Sequence, residues 1–219
     1  MSGLAFYPSY KDLDAFIDVG RLKALDAHVR ERLERRLAAE RDIRFCTGPF
    51  ILRPGAPTVP GSRMVYLKQS TRPEDYYDLD RTDLWQPTPE AEEFPELMDF
   101  IATLPFAATG RMMIMYDDSG RAVTAHRDHD SAELCHEFIW FRTNLDKPFY
   151  MLNPETDEKL YVTSHAAWFD TVNQYHGADE TGGLSWSIRV DGRFSDSFRR
   201  QIPFPAAGRS AAPALWANG

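Results

Sequence analysis

The pattern of hydrophobic positions changes character along the chain near Gly110. Within residues 21–40, apolar residues recur at steps of three and four between charged residues, which predicts an amphipathic helix. A second helix is predicted over residues 90–104 on the same grounds. The periodic positions are Leu22, Leu25, Val29, Leu33 and Leu37 in the first helix and Leu97, Met98, Ile101 and Leu104 in the second. Both helices are expected to pack against a sheet.

After Gly110 the apolar segments become short and are separated by turn residues. They read RMMIMY, EFIWFRTN, FYML, KLYV, AAWFDTV and LSWSIRV, with turns such as DDSG and NPETDE between them. Segments rich in Ile, Val, Tyr, Phe and Trp, at a spacing of roughly ten residues, are typical of an antiparallel sandwich or barrel. Because the helices precede the strands, this order disfavours a βαβ nucleotide-binding fold and favours a mainly β core covered by N-terminal helices.

The region between the two predicted helices has no regular period. Residues 47–60 contain four prolines and two glycines, which predicts a loop or an edge strand. A short strand is predicted at Met64–Lys68. Residues 70–89, which contain Tyr76, Tyr77 and Trp85, are predicted to form a long surface loop that acts as a lid.

Length and charge narrow the classes of function. A chain of 219 residues favours one elaborated domain over two. We expect a helical and loop elaboration over residues 1–110, a β core over residues 111–195 and an irregular tail over residues 203–219. The formal net charge of −8 argues against a nucleic-acid or anionic-membrane partner and favours a small-molecule or peptide partner. The oligomeric state stays open.

The expected compartment follows from the absence of targeting and membrane signals in the sequence. No apolar run approaches the length of about 20 residues that a bilayer requires, and the N-terminus lacks the pattern of a signal peptide. A cytoplasmic location is therefore expected. Cys46 and Cys135 lie beside apolar or aromatic residues and are predicted to be buried, reduced thiols.

Three residues form the candidate metal site. His126 and Asp128 are two positions apart, so in an extended strand both side chains project to the same side. His176 follows downstream in the segment FDTVNQYHGAD. Two imidazoles and one carboxylate on a β scaffold make up the facial triad that binds non-haem iron(II) and leaves coordination positions open. Those positions can accept a bidentate 2-oxo acid and dioxygen. A simpler interpretation is that both histidines have ordinary surface or core roles.

A 2-oxoglutarate cosubstrate would also need a cation for its far carboxylate. Arg189 offers a planar fork that matches such a group, and Ser187 lies two residues before it in a predicted strand. These two side chains are expected to face the same way and to form a carboxylate clamp. The alternative is that Arg189 makes only a surface salt bridge, with Asp191 as its partner.

The order His126-x-Asp128, His176 and Arg189 on short β segments resembles the iron(II)/2-oxoglutarate-dependent oxygenase superfamily. The stretches FIWFRTNLDKPFYML and YVTSHAAWFDTVNQYHGADETGGLSWSIRVDGRF are similar in layout to aspartyl/asparaginyl β-hydroxylases and bacterial proline hydroxylases. The resemblance covers about residues 110–195. These relatives often begin the strand that ends in Thr-Asn with Arg, whereas this chain has His136 there and Arg142 later.

The resemblance implies a double-stranded β-helix, also called a jelly roll, of the cupin-like kind. It implies iron(II) held by His126, Asp128 and His176, with 2-oxoglutarate and dioxygen as cosubstrates. Arg142 is a further candidate, beside Arg189 and Ser187, for binding 2-oxoglutarate. The implied activity is that of a dioxygenase which hydroxylates an unactivated C–H bond of an amino-acid-like small molecule or peptide.

Two alternatives from other classes remain open. One is a cupin-type metalloenzyme that uses no 2-oxo acid, such as an isomerase or a thiol dioxygenase. A fourth ligand from His129 or His136 would support it, because those sites often carry three histidines. The other is a ligand-binding jelly roll without catalytic activity.

Overall fold

The computed structural model describes residues 8–42, 44–45, 50–52, 62–72, 82–128 and 137–202. These residues form a mainly β structure with two antiparallel sheets of eight and five strands and a few short helices. The mainly β, jelly-roll fold predicted from the sequence is confirmed.

The strands of this β structure are mostly short. They are β1 (Lys11–Asp12), β2 (Arg44–Phe45), β3 (Phe50–Leu52), β4 (Ser62–Ser70), β5 (Trp85–Pro87), β6 (Phe106–Asp117), β7 (Val123–Asp128), β8 (Phe138–Phe141), β9 (Phe149–Leu152), β10 (Lys159–Tyr161), β11 (Ala166–Trp168), β12 (Tyr175–Ala178) and β13 (Ser185–Phe194). The α-helices are α1 (Val19–Ala24), α2 (Asp26–Ala38), α3 (Pro95–Ile101) and α4 (Asp196–Arg199), and short 3-10 helices lie at Asp14–Phe16, Thr82–Leu84 and Pro89–Glu93.

Strands distant in sequence are neighbours in both sheets. The larger sheet has the order β1-β11-β8-β13-β6-β4-β2, with β5 paired to β4. The smaller sheet has the order β10-β9-β12-β7-β3. Such crossovers between two antiparallel sheets are a property of jelly rolls. They bring β7 and β12, which carry the candidate ligands, side by side.

The helices cover one face of the larger sheet. Along β13, the side chains of Trp186, Ile188 and Val190 lie on that face and are buried in the main hydrophobic core. The guanidinium of Arg30 in α2 stacks over Trp186 at 4.7 Å, and other core contacts come from α3. Because side chains alternate along a strand, Arg189 and its neighbours two positions away face the smaller sheet instead.

The segment Thr143-Asn144, just after β8, fixes the start of α2. Thr143 Oγ1 and Asn144 Nδ2 both donate hydrogen bonds to Asp26 Oδ1, at 2.6 and 2.5 Å. The indole nitrogen of Trp186 in turn donates to Thr143 Oγ1 at 3.0 Å. These bonds tie the helical layer to the sheet.

The N-terminal half contributes more to the sheets than its sequence pattern predicts. The helix predicted over residues 21–40 is two helices, α1 and α2, that meet at Leu25. Strands β1 to β5 precede residue 106, and β4 extends the predicted strand Met64–Lys68 in both directions. The sheets therefore include strands from outside residues 111–195. The two- and three-residue strands among them are too short to show a period of two, so the sequence pattern does not reveal them.

The C-terminal part of the predicted lid is not a surface loop but forms a 3-10 helix and a strand. Trp85 lies in β5, which pairs with β4, and its exposed fraction is only 3%. Burial of a large aromatic residue stabilises this part against the sheet. Residues 73–81 of the lid, the two cysteines and the tail over residues 203–219 lie outside the described residues. No helix within the described ranges has the length and apolar composition needed to cross a membrane.

Candidate metal centre

The two candidate histidine ligands are cross-strand neighbours. His126 of β7 and His176 of β12 are directly opposite each other in the antiparallel pair, and their ring centroids are 4.5 Å apart. Side chains opposite each other on adjacent strands share a face of the sheet. Asp128 is two residues beyond His126 on β7, so its carboxylate joins the imidazoles on that face.

The donor atoms of these three side chains converge. Asp128 Oδ1 lies 3.8 Å from His126 Nε2 and 3.6 Å from His176 Nε2, and the ligand atoms all lie within 4.8 Å of one another. Two donors bound next to each other on one ion at about 2.1 Å are about 3.0 Å apart. Side-chain rotations would bring the donors to that spacing, so the group fits a single metal ion.

Backbone carbonyls fix which imidazole nitrogen is available for the metal. Nδ1 of His126 lies 2.8 Å from the carbonyl oxygen of Thr124, and Nδ1 of His176 lies 3.1 Å from that of Gln174. A carbonyl oxygen can only accept a hydrogen bond, so each Nδ1 carries the proton. When a metal binds, each ring can therefore offer it the lone pair of Nε2, the atom that faces Asp128.

The charges of the site suit metal binding. Burial, with a further contribution from His176, lowers the pKa of His126 to about 4, so this ring is neutral at neutral pH. Burial alone would raise the pKa of Asp128, but the contacts with His176 and Arg189 outweigh it and hold that pKa well below its usual range. The carboxylate is therefore ionised, as a metal ligand must be.

A turn that precedes β12 braces the two strands that carry the candidate ligands. The backbone N–H of Asp128 donates to the carbonyl oxygen of Thr171 at 2.8 Å. Asp170 Oδ1 accepts from the backbone N–H groups of Val172 and Asn173 at 3.1 and 3.0 Å, which forms an Asx turn. Sequence reasoning did not single out Asp170 or Thr171, although Asp is one of the residues that favour such turns.

Arg189 reaches the carboxylate of Asp128 from the opposite sheet. Its Nη1 lies 3.3 Å from Asp128 Oδ2, and its Nε donates to Asp191 Oδ1 at 2.9 Å. The guanidinium also stacks over the ring of Phe138 at 4.1 Å. The salt bridge with Asp191 that the sequence suggested is present, but it is buried and does not lie at the surface. The clamp for a cosubstrate carboxylate stays a prediction.

The residues around Arg189 on the larger sheet form an apolar wall. Met113 is opposite Arg189 and Met115 is opposite Ser187 in the β13–β6 pair, while Tyr66 and Met64 of β4 continue these two rows. Ser187 and Met115 are half-buried, in contrast to the neighbouring core residues. The wall therefore borders accessible space on the same face of the sheet as Arg189.

Aromatic rings fill the space beside His176. The ring centroids of Phe169 and Phe149 lie 5.4 and 6.0 Å from its imidazole, and Trp140 packs on Phe149 at 4.3 Å. Trp140 and Phe169 are buried. These rings hold the imidazole in place and close this side of the site to water.

The structure does not bring Arg142 to the three candidate ligands. Its Nη1 donates to the carbonyl oxygen of Lys147 at 2.8 Å, and its Nη2 donates to those of Val162 and Ser164 at 2.8 and 3.2 Å. These bonds tie together the segments that follow β8 and β10. His129 and His136, the candidate fourth ligands, lie outside the described residues.

Neither a family model nor a curated protein sequence matches the chain. Among solved structures, a prolyl hydroxylase from Trichoplax adhaerens, in complex with a hypoxia inducible factor oxygen degradation domain peptide fragment, is similar at a TM-score of 0.50 and 9% identity over 90% of this chain and 87% of that chain. A prolyl-4-hydroxylase from Pseudomonas putida is similar at a TM-score of 0.47 and 13% identity over 85% of this chain and 92% of that chain. AviO1 from Streptomyces viridochromogenes Tue57 gives a TM-score of 0.34 and 16% identity over 79% and 82% of the two chains. The similarity at 0.50 shows that this chain shares the fold of that prolyl hydroxylase, which agrees with the predicted resemblance at the level of fold alone.

Proposed function

We propose that the protein is an iron(II)- and 2-oxoglutarate-dependent oxygenase that hydroxylates a C–H bond of an amino-acid-like small molecule or peptide. The observation that carries this proposal is the convergence of His126 Nε2, His176 Nε2 and one carboxylate oxygen of Asp128 on the interior face of a jelly roll. Two imidazoles and one carboxylate are the donor set of the non-haem iron(II) facial triad.

The number and kind of side chains in the triad suit a catalytic iron site better than a structural metal site. The three side chains supply one negative charge, and no fourth His, Cys, Asp or Glu joins the group among the described residues. A structural zinc site, by contrast, is closed by four protein ligands. Bound iron(II) would supply the activation of dioxygen, coupled to the oxidation of 2-oxoglutarate, that the protein's own side chains cannot provide.

Arg189 is the proposed anchor for the far carboxylate of 2-oxoglutarate. The contacts of its guanidinium with Asp128 and Asp191 use Nη1 and Nε, and within the described ranges no acceptor contacts Nη2. Nη2 and the nearby Ser187 hydroxyl could both donate to a carboxylate. The side chains of Met113 and Met115 would pack against the methylene groups between the two ends of the cosubstrate.

The test begins with protein from which metal has been removed. Anaerobic titration with iron(II) and then 2-oxoglutarate should give one equivalent of each bound, and admission of dioxygen should release succinate. The same measurements are made on His176→Ala and on His28→Ala, a matched control outside the site. Loss of metal binding in the first variant alone would assign the bound metal to the triad. The substrate would then be sought by measuring the stimulation of succinate release across a panel of amino acids and short peptides.

The outcomes separate the proposal from its rivals. Tight metal binding without binding or turnover of 2-oxoglutarate would support a cupin-type metalloenzyme and contradict the oxygenase. A protein that binds no divalent metal would be a ligand-binding jelly roll. Retention of iron by His176→Ala would contradict the ligand set itself.

A further inference from the structure

Four charged side chains of alternating sign form a continuous chain that ends at the metal centre. Arg111 Nε donates to Asp191 Oδ2 at 2.7 Å, and Asp191 Oδ1 accepts from Arg189 Nε at 2.9 Å. Arg189 Nη1 then contacts Asp128 Oδ2 at 3.3 Å. Arg111 and Asp191 are not part of the triad, and the proposed reaction does not use them directly.

Asp191 is buried, so its contacts with the two arginines are not an ordinary solvent-exposed salt bridge. Its exposed fraction is 4%, and each carboxylate oxygen accepts a hydrogen bond from a different arginine. An ionised carboxylate in such a place is costly unless it is paired and hydrogen-bonded. With both oxygens engaged, Asp191 can occupy only one orientation, and so can the guanidinium that it holds.

A break in strand register accompanies the contact between Arg111 and Asp191. The β13–β6 pairing shifts between Val190 and Gly192, opposite Met112 and Thr109. A bulge of this kind redirects side chains and is usually specified by the structure around it. At Gly192 a Cβ atom would lie 2.4 Å from the carbonyl oxygen of Ala108, so the close approach of the strands requires glycine.

The orientation of Arg189 has consequences for both groups that it faces. Its Nη1 holds one oxygen of Asp128, which leaves Oδ1 directed at the Nε2 atoms of His126 and His176. The carboxylate is thereby disposed to bind a metal through one oxygen. Its Nη2, which neither Asp128 nor Asp191 engages, is left for a second carboxylate.

We propose that Asp191, held by Arg111, is a positioning residue that fixes the guanidinium of Arg189, so that Arg189 orients Asp128 for one-oxygen coordination and presents Nη2 to the cosubstrate. The inference about the cosubstrate rests on the proposed function. The inference about Asp128 requires only that the triad binds a divalent metal. Partners that orient metal ligands typically change metal affinity or activity by about 10–100-fold when they are removed.

The test uses cobalt(II), which can be titrated in air without turnover. Asp191→Asn keeps the shape of the side chain but removes its charge. The expected result is that the dissociation constant for cobalt(II), and that for 2-oxoglutarate on the cobalt-loaded protein, each rise about 10–100-fold. Arg111→Gln should change both constants in the same direction by a smaller factor, and it serves as the test if Asp191→Asn does not fold.

A matched control comes from a second buried ion pair on the helical side of the sheet. Asp42 accepts two hydrogen bonds from Arg36, both at 2.7 Å, and contacts none of the metal ligands. Asp42→Asn should lower the melting temperature as a loss of a buried pair does, while it leaves both dissociation constants unchanged. A purely structural role for Asp191 would make the two variants alike.

The outcomes are distinguishable from a failure of the proposed function. If the wild-type protein binds cobalt(II) but not 2-oxoglutarate, the oxygenase proposal is wrong, and the effect of Asp191→Asn on cobalt(II) affinity still tests the orientation of Asp128. Wild-type affinities in a folded Asp191→Asn protein would overturn the positioning role. So would equal losses in Asp191→Asn and Asp42→Asn.

Discussion

His126 and His176 lie directly opposite each other on β7 and β12, with ring centroids 4.5 Å apart and each Nδ1 near a backbone carbonyl oxygen. The position of each imidazole is therefore set by the pairing of the two strands as well as by its own rotamer. A slip of one residue would turn one imidazole to the other face of the sheet. The geometry of the candidate metal centre is thus a property of strand register.

The first prediction concerns the ligands. His176→Ala should abolish binding of cobalt(II) or iron(II), because two remaining donors cannot hold the facial arrangement. Isothermal titration of the metal-free protein measures this directly. His28→Ala, in helix α2, should bind metal as the wild type does. A His176→Ala protein with wild-type metal affinity would show that the ion binds elsewhere.

The second prediction separates the two arginines that the sequence offered for the cosubstrate. Arg189→Lys keeps the positive charge but loses the planar fork, so the Michaelis constant for 2-oxoglutarate should rise about tenfold or more, since charge-assisted hydrogen bonds are worth about 1.5–3 kcal/mol. Arg142→Lys should lower stability without a specific change in that constant, because the side chain of Arg142 binds backbone carbonyls. The reverse pattern would transfer the anchor to Arg142.

The third prediction concerns acid stability and the pair Arg36–Asp42. Burial alone would raise the pKa of Asp42, but hydrogen bonds from Arg36 and Tyr116 outweigh it and lower that pKa below the ordinary value of 3.8. A carboxyl whose pKa is lower in the folded state stabilises the fold above its unfolded pKa. This contribution should be complete above about pH 4 and lost as the pH falls through the lower, folded value.

Urea unfolding of the metal-free wild type and of Asp42→Asn between pH 7 and pH 2.5 measures this contribution. The difference in unfolding free energy between the two proteins should be constant from pH 7 down to about pH 4 and should shrink below that pH. Because Asp128, Asp179 and Asp191 also have lowered pKa values, only the difference between the two proteins isolates Asp42. A difference that stays the same down to pH 2.5 would contradict the prediction.

The sequence predicts what depends on local pattern. The apolar segments at turn-bounded spacing correctly predict a mainly β fold with helices on one side. The spacing of His126 and Asp128 predicts a shared face, and the structure places both side chains there with His176. These features follow from the alternation of side chains along a strand, which is visible in any short stretch of residues.

Other features depend on contacts between distant segments and leave no local pattern. Strand β12 has all four residues buried, so its sequence YHGA shows no alternation of apolar and polar residues. The interaction of Arg111 with Asp191 requires two strands and a shift of register that neither strand reveals alone. Sequence reasoning named Asp191 only as a surface partner of Arg189, because burial cannot be deduced from a charged residue in a strand.

The last prediction tests whether strand register controls metal affinity. Gly177 follows His176 on β12, where an added Cβ atom would lie 2.6 Å from the backbone carbonyl oxygen of Val123 on β7. It would also lie 2.7 Å from the hydroxyl oxygen of Tyr150, whose ring is buried. Real Cβ contacts are essentially never this short, so Gly177→Ala must move β12 away from the strand that carries His126.

Because the obstructing atom on β7 is backbone, this strain cannot be relieved by a side-chain rotation alone. Overpacking of this kind costs about 1–3 kcal/mol of unfolding free energy, and the displaced strand should also weaken cobalt(II) binding. Gly182→Ala is the matched control, since no atom lies within 4 Å of its added Cβ and its backbone does not require glycine. It should keep wild-type metal affinity. If a folded Gly177→Ala protein bound cobalt(II) as tightly as Gly182→Ala, the imidazoles would tolerate a displaced strand, and register would not be what sets the metal site.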